Sequence, residues 1–192
     1  MALFTEKPCG AKTAVGWFSL KVIWCDQCRR SITEKNMVII VMGVSGSGKT
    51  TVGKALASEL GWRFYDADDF HTPTNKQKMS AGSALTDEDR WPWLERLADK
   101  ISVWVSEHSG SVLACSALKE SYRELLNSKV AAHSLVYIHL TGKKELIAER
   151  LASRQAHYMP IDLLASQYEI LEECCKALSV DVSATPAEIV AE

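Results

Sequence analysis

The octapeptide Gly43 to Thr50, GVSGSGKT, constrains this chain more than any other stretch. It satisfies the pattern GxxxxGK[ST] and lies between the apolar run MVIIVM at residues 37–42 and TVGKALASEL, which reads as a helix ending at Gly61. A β-branched apolar run of that length predicts a strand buried on both faces, as in a parallel sheet. Glycines allow torsions that turn successive N–H groups inward, and such a nest at a helix N-terminus cradles polyphosphate. Gly43, Val44, Ser45, Gly46, Ser47, Gly48, Lys49 and Thr50 are therefore the candidate ATP-binding residues. Lys49 would reach the β and γ phosphates, and the Thr50 hydroxyl suits Mg2+, a hard ion that combines a few protein oxygens with phosphate and water. The competing explanation is an ordinary Gly/Ser turn before a helix.

Downstream, strands and helices alternate. WRFYDAD reads as a short strand, WPWLERLADKISVWVSE as a long amphipathic helix, and SVLACSA and HSLVYIHL as strands. LIAERLASR and LLASQYEILEEC follow as helices, then a last strand LSVDV and a final helix PAEIVAE with proline in its first turn. This alternation predicts one α/β domain, a parallel sheet with helices on both faces, and the phosphate loop makes it a three-layer fold of the P-loop NTPase type.

Composition sets outer limits. In 192 residues, 22 Lys+Arg against 24 Asp+Glu give a net charge of -2, too little to attract nucleic acid or an anionic membrane through the overall field. The apolar stretch around Ala14 to Trp24 is broken by Lys21, well short of the ~18 residues a membrane helix needs. Six cysteines include the neighbours Cys174 and Cys175 and a lone Cys25/Cys28 pair with no second ligand pair at zinc spacing, which points to a reducing compartment and a cytoplasmic protein. Residues 1–36 hold six basic and three acidic residues and show no clear periodicity, whereas the rest carries 16 basic and 21 acidic. Residues 1–36 thus read as an appendage, either upstream of the true start or a targeting or regulatory extension, and residues 37–192 as the kinase-like domain.

A phosphate cradle identifies a donor and leaves the acceptor open. The second strand runs into Asp66-Ala67-Asp68-Asp69-Phe70-His71, at the sheet end where open α/β folds bind ligands. If the strand continues, Asp66 and Asp68 share a face, one for a metal-bound water and the other to accept a hydroxyl proton. The same residues also fit a solvated turn with Asp as a helix cap. Thr86 and Asp89 mark a helix start, which explains the acids around them; Arg90 either contacts a substrate carboxylate or pairs with those acids. Lys119 and Arg123, four apart, either face the acceptor or pair with Glu120 and Glu124. Trp91, Trp93 and Trp104 read as packing residues, Cys115 as a buried thiol, and His133 and His139 as structural. Arg150 and Arg154 end a helix before a candidate flap at residues 155–160; either closure delivers an arginine to the transferring phosphoryl group, or the pair is a surface helix terminus that favours cations.

Taken in order, GVSGSGKT, DADDFH, NKQKM, LTDEDRWPWLERL, ACSALKESYRELL, RQAHYMP and LLASQYEILE resemble the gluconokinases, a P-loop, shikimate-kinase-like group, over Val38 to Glu172. The resemblance implies MgATP-dependent phosphorylation of D-gluconate at its 6-hydroxyl, in the pentose phosphate route, commonly by a homodimer. It implies that Lys49 and Thr50 serve ATP and Mg2+ and that Asp68 orients or deprotonates the acceptor; of the strand-end pair, Asp66 is then the candidate at the metal. Arg154 and His157 fall in the lid motif, and His71, Arg90, Lys119, Arg123 and Gln167 fall around gluconate. The chain departs from the family at the lid, AHYMP where GHFMP is usual, at Glu173-Cys174-Cys175 where a proline is common, and in its early end. Related alternatives are a kinase of shikimate, adenylyl sulfate or a nucleoside monophosphate, or a nucleotide-binding module without catalysis.

Overall fold

A computed structural model describes residues 36–153 and 162–191. Five strands, β1 (Val38–Met42), β2 (Arg63–Asp66), β3 (Ser111–Ala114), β4 (Leu135–Thr141) and β5 (Leu178–Asp181), form one sheet in the order β2-β3-β1-β4-β5. Every pairing is parallel, with β1 flanked by β3 and β4 in the register Ile40↔Leu113 and Ile40↔Tyr137. All five β1 residues are buried, as the uninterrupted apolar run requires of a central strand covered on both sides.

Among the described residues seven α-helices cover the sheet: α1 (Lys49–Leu60), α2 (Pro73–Ser80), α3 (Asp87–Ser106), α4 (Glu120–Asn127), α5 (Lys144–Ala152), α6 (Asp162–Glu169) and α7 (Pro186–Ala191). Alternate β1 side chains feed two cores. Val38, Ile40 and Met42 pack with Leu94, Leu97 and Ile101 of α3 and Leu126 of α4. Ile39 and Val41 pack with Leu56 of α1, Ile147 of α5, Leu164 of α6 and Ile189 of α7. At about 1.5–3 kcal/mol for each fully buried aliphatic side chain, these two faces fix the strand register, since a one-residue slip would exchange them. The expected three-layer α/β architecture is present.

Local signals also set the boundaries. Gly61 closes α1 in the left-handed conformation at φ 64°. Thr86 and Asp89 form a reciprocal capping box at the start of α3. Trp104 stacks on Tyr65 at 4.0 Å, and Cys115 is buried with its thiol pushed up to about 12 by that burial. Both act as packing groups. Cys115, Cys174 and Cys175 are free thiols.

Two expectations need correction, and one helix has no expectation to match. The second strand stops at Asp66, and Ala67–Phe70 turn as a 3-10 helix, so strand alternation does not align Asp66 with Asp68. The helix expected through Cys174 ends at Glu169. There the chain is drawn onto the start of α4: Glu172 N–H donates to Leu118 O at 2.9 Å, and the Glu172 carboxylate accepts from Glu120 N–H. Helix α2 had no counterpart in the sequence reading, because its eight residues carry almost no apolar stripe. It is set instead by the Thr72 cap and Pro73 at the first turn.

Among the described residues no helix is long and apolar enough to cross a membrane. The Cys25/Cys28 pair, the appended segment up to residue 35, and the flap with Arg154, Ala156, His157 and Tyr158 lie outside the described residues.

Candidate active site

The phosphate loop leaves β1 at Gly43 and enters α1 through Gly48, whose φ of 95° lies in the region that favours glycine. Gly46 is held more tightly, since a Cβ there would come within 2.9 Å of Ile147 O. No side chain caps α1, and its first turn carries no acid of its own, so its N-terminal N–H groups and dipole favour an anion at this end. The Lys49 ammonium donates to Val44 O at 3.1 Å, folding across the loop. Ser45 is tied to α6: its N–H donates to Gln167 Oε1 at 2.7 Å, and Gln167 Nε2 donates to Ser45 Oγ at 3.1 Å.

At the end of β2, Asp66 connects the loop to the acceptor side. Its Oδ2 accepts from the Thr50 hydroxyl at 2.9 Å, and its Oδ1 accepts from Asp68 N–H at 3.2 Å as the cap of the 3-10 turn. The turn thus reaches by another route what a continued strand would also give: Asp66 and Asp68 line one cleft with Gly46, Gly48, Lys49 and Thr50. No cluster of three or more His, Cys, Asp or Glu fit for a metal occurs among the described residues. The Thr50–Asp66 pair nevertheless fits Mg2+ beside a nucleotide, an ion that keeps most of its shell from phosphate and water.

A second cavity adjoins this cleft, and Asp68, Met79 and Ser116 line both. Its walls include His71, Arg90, Trp93, Tyr122 and Gln167. His71 is buried, stacks on Trp93 at 4.1 Å, and has an Nδ1 that bonds no protein atom. Burial, reinforced by Lys76, Arg90 and Arg96, lowers its pKa to about 4, so the imidazole is neutral near pH 7. Trp93 is anchored by its Nε1 donating to Ala67 O at 2.9 Å, so it belongs to the core and the cavity wall together. Ala117, at φ 44°, stands in the same wall in a conformation most residues avoid.

The two basic residues expected to share a face are separated. Lys119 precedes α4 as its cap residue in an extended conformation, and its ammonium lies 2.6 Å from Asp87 Oδ2. Arg123 is inside the helix and only 2% exposed. Its guanidinium donates to the Glu120 carboxylate and to the carbonyls of Ala117, Leu118, Glu172 and Glu173. Arg123 is therefore a buried tie between the cavity loop and the segment after α6, and it is absent from the cavity wall. Arg90 lines the cavity and also pairs with Asp87 at 3.1 Å, so both of its expected contacts are open to it. Tyr122 and Asp87 carry no local signal of a site role in the sequence: Tyr122 is a single aromatic on a helix, and Asp87 is one acid among three in a capped turn.

Known proteins resemble this chain along most of its length. The shikimate kinase family model matches residues 45–191. A probable gluconokinase of Rattus norvegicus is 47% identical over 151 residues, covering 70% of this chain and 82% of that protein. The gluconokinase of Arabidopsis thaliana is 42% identical over 175 residues, covering 84% and 92%. Among solved structures, a gluconokinase from Sinorhizobium meliloti superposes with a TM-score of 0.72 at 42% identity, covering 82% of this chain and 89% of that one. A sugar kinase from Janibacter sp. gives 0.75 at 39% identity, covering 80% and 90%. With its phosphate loop, acidic turn and adjoining cavity on a five-stranded parallel sheet, this chain belongs to the gluconokinase family of shikimate-kinase-like P-loop kinases.

Proposed function

We propose that this protein transfers the γ-phosphoryl group of ATP to the 6-hydroxyl of D-gluconate, giving 6-phospho-D-gluconate and ADP. The observation that carries this reading is the position of Asp68 in the lining of both the phosphate-loop cleft and the neighbouring cavity. A donor and an acceptor held in those two spaces meet at one carboxylate. The named activities of the relatives supply the identity of the acceptor.

In this reading the loop N–H groups and Lys49 hold and neutralise the polyphosphate. Thr50 and Asp66 would hold Mg2+, which would offset phosphate charge when bound. Asp68 orients the 6-hydroxyl and takes its proton as the oxygen–phosphorus bond forms and the bond to ADP breaks. Arg154 and His157 serve the lid, excluding water and adding positive charge around the transferred group. Arg90, with Lys119 behind it, recognises the carboxylate of the acceptor. Neutral His71 exchanges hydrogen bonds with its hydroxyls, and its uncommitted Nδ1 fits that role. Gln167 spans from the loop to the acceptor, while Arg123 acts on the acceptor only through the wall it braces. The loose transition state of phosphoryl transfer leaves little covalent work, so positioning and charge supply most of the rate. Residues 37–192 form the kinase unit in this reading, which extends to a cytoplasmic homodimer.

A crystal grown with a non-hydrolysable ATP analogue and gluconate tests it. The expected result is a gluconate 6-hydroxyl within hydrogen-bond distance of Asp68, and a polyol bound away from Asp68 would refute the assignment.

A further inference from the structure

Asp87 is the first residue of α3, and its carboxylate gathers three donors from two elements. Lys119 Nζ reaches Oδ2 at 2.6 Å, Tyr122 OH reaches Oδ1 at 2.5 Å, and Arg90 NH1 reaches Oδ1 at 3.1 Å. Arg90 NH1 also donates to Tyr122 OH at 3.1 Å. Every described hydrogen bond of the Arg90 guanidinium thus runs through NH1, which leaves Nε–H and the NH2 group uncommitted on a residue that lines the acceptor cavity. Those two donors form the fork edge that matches a carboxylate in a bidentate contact. The Lys119 and Tyr122 hydrogen bonds hold the Asp87 carboxyl down to about 2, so it is an anion throughout the working pH range.

We propose that Asp87 is a positioning residue for acceptor selectivity: by pinning Arg90 at NH1, with Tyr122 as the second stop, it presents the Nε/NH2 edge to the carboxylate of the acceptor. This rests on the reading of the cavity as the site of a sugar acid. Without the Asp87 carboxylate, Arg90 keeps its charge and loses its fixed orientation, and a long side chain that must be ordered on binding weakens the contact. Removing the carboxylate also leaves one more uncompensated positive charge nearby. On a partly exposed wall that charge is a small gain for any anion, so a weaker hold on gluconate reports lost geometry and not lost charge.

The test compares gluconate with D-gluconamide, the same polyol with a neutral amide in place of the carboxylate, using steady-state kinetics on the full chain. The inhibition constant of the amide against gluconate serves where its turnover is slow. Asp87→Asn should raise KM for gluconate about tenfold or more, with the loss in KM rather than kcat. The constant for gluconamide and KM for ATP should change less than threefold, and Asp87→Glu should recover part of the loss. In an Arg90→Ala background, Asp87→Asn should add less than threefold. An equal rise for gluconate and gluconamide, or a full tenfold loss repeated in the Arg90→Ala background, overturns the proposal. If Asp87→Asn does not fold, Tyr122→Phe decides in its place: a rise confined to gluconate supports the proposal, and no rise overturns it. A wild-type protein that phosphorylates a different anionic acceptor defeats the gluconate assignment. The same pair of measurements, made with that acceptor and its amide, then still judges Asp87.

Discussion

Lys49 and Asp68 stand on opposite sides of the proposed transfer, and their substitutions should fail differently. Lys49→Ala should abolish measurable turnover, because nothing else in the loop supplies a mobile full charge to the β and γ phosphates. Asp68→Asn should reduce kcat by about 100-fold or more while leaving ATP affinity within a few-fold, as expected for a lost proton acceptor. Comparing kcat with nucleotide titrations for both variants checks this; near-normal turnover in Asp68→Asn would remove it from the acceptor role. His71 makes a prediction about stability. Its folded pKa of about 4 lies below the ordinary 6.5, so between those values the unfolded chain binds more protons than the folded one. Stability contributed by the neutral ring is therefore complete above about pH 6.5 and is lost as pH falls toward 4. Chemical denaturation across that window should show a flatter pH dependence for His71→Gln than for the wild type.

At the scale of elements, Arg123 joins the cavity loop, α4 and the segment after α6 through one buried guanidinium. Its carboxylate partner Glu120 is more than half exposed, so the carbonyls carry most of what Arg123 contributes. Arg123→Met should cost about 3 kcal/mol, on the order of 10 °C in Tm, whereas Glu120→Gln should cost less than about 1 kcal/mol. Thermal melts of the two variants measure the contrast. Why sequence missed this tie is physical. The phosphate loop, the Gly61 stop and the Thr86 cap are written in adjacent residues, and β1 in a contiguous apolar run, so all were legible. Arg123 and Lys119 have helical spacing, but nothing local states that α4 begins after Lys119. The end of α6 depends on Leu118 and Glu120, some fifty residues earlier, and the Asp87 cluster needs α3 and α4 side by side. Contacts of that kind exist only once the chain is folded.

Across the whole molecule, β1 is the reference from which the site is built. The loop leaves its end, β2 and β3 bring the acidic turn and the cavity wall to the same edge through β3, and α6 closes onto the loop through Gln167. The architecture follows from alternating buried strands and amphipathic helices and needed no knowledge of the acceptor. Acceptor identity does not follow from architecture, since the alternation of strands and helices sets the sheet and not the polar groups of the cavity. The acceptor is set by the cavity, whose described lining includes Arg90, neutral His71 and the shared Asp68. The most direct measurement is ADP release by the purified full chain with MgATP and a panel of gluconate, shikimate, adenylyl sulfate and nucleoside monophosphates. The account predicts release that depends on gluconate, with 6-phospho-D-gluconate as the product, and background rates with the other acceptors. Turnover driven by one of those others, with none on gluconate, would contradict it.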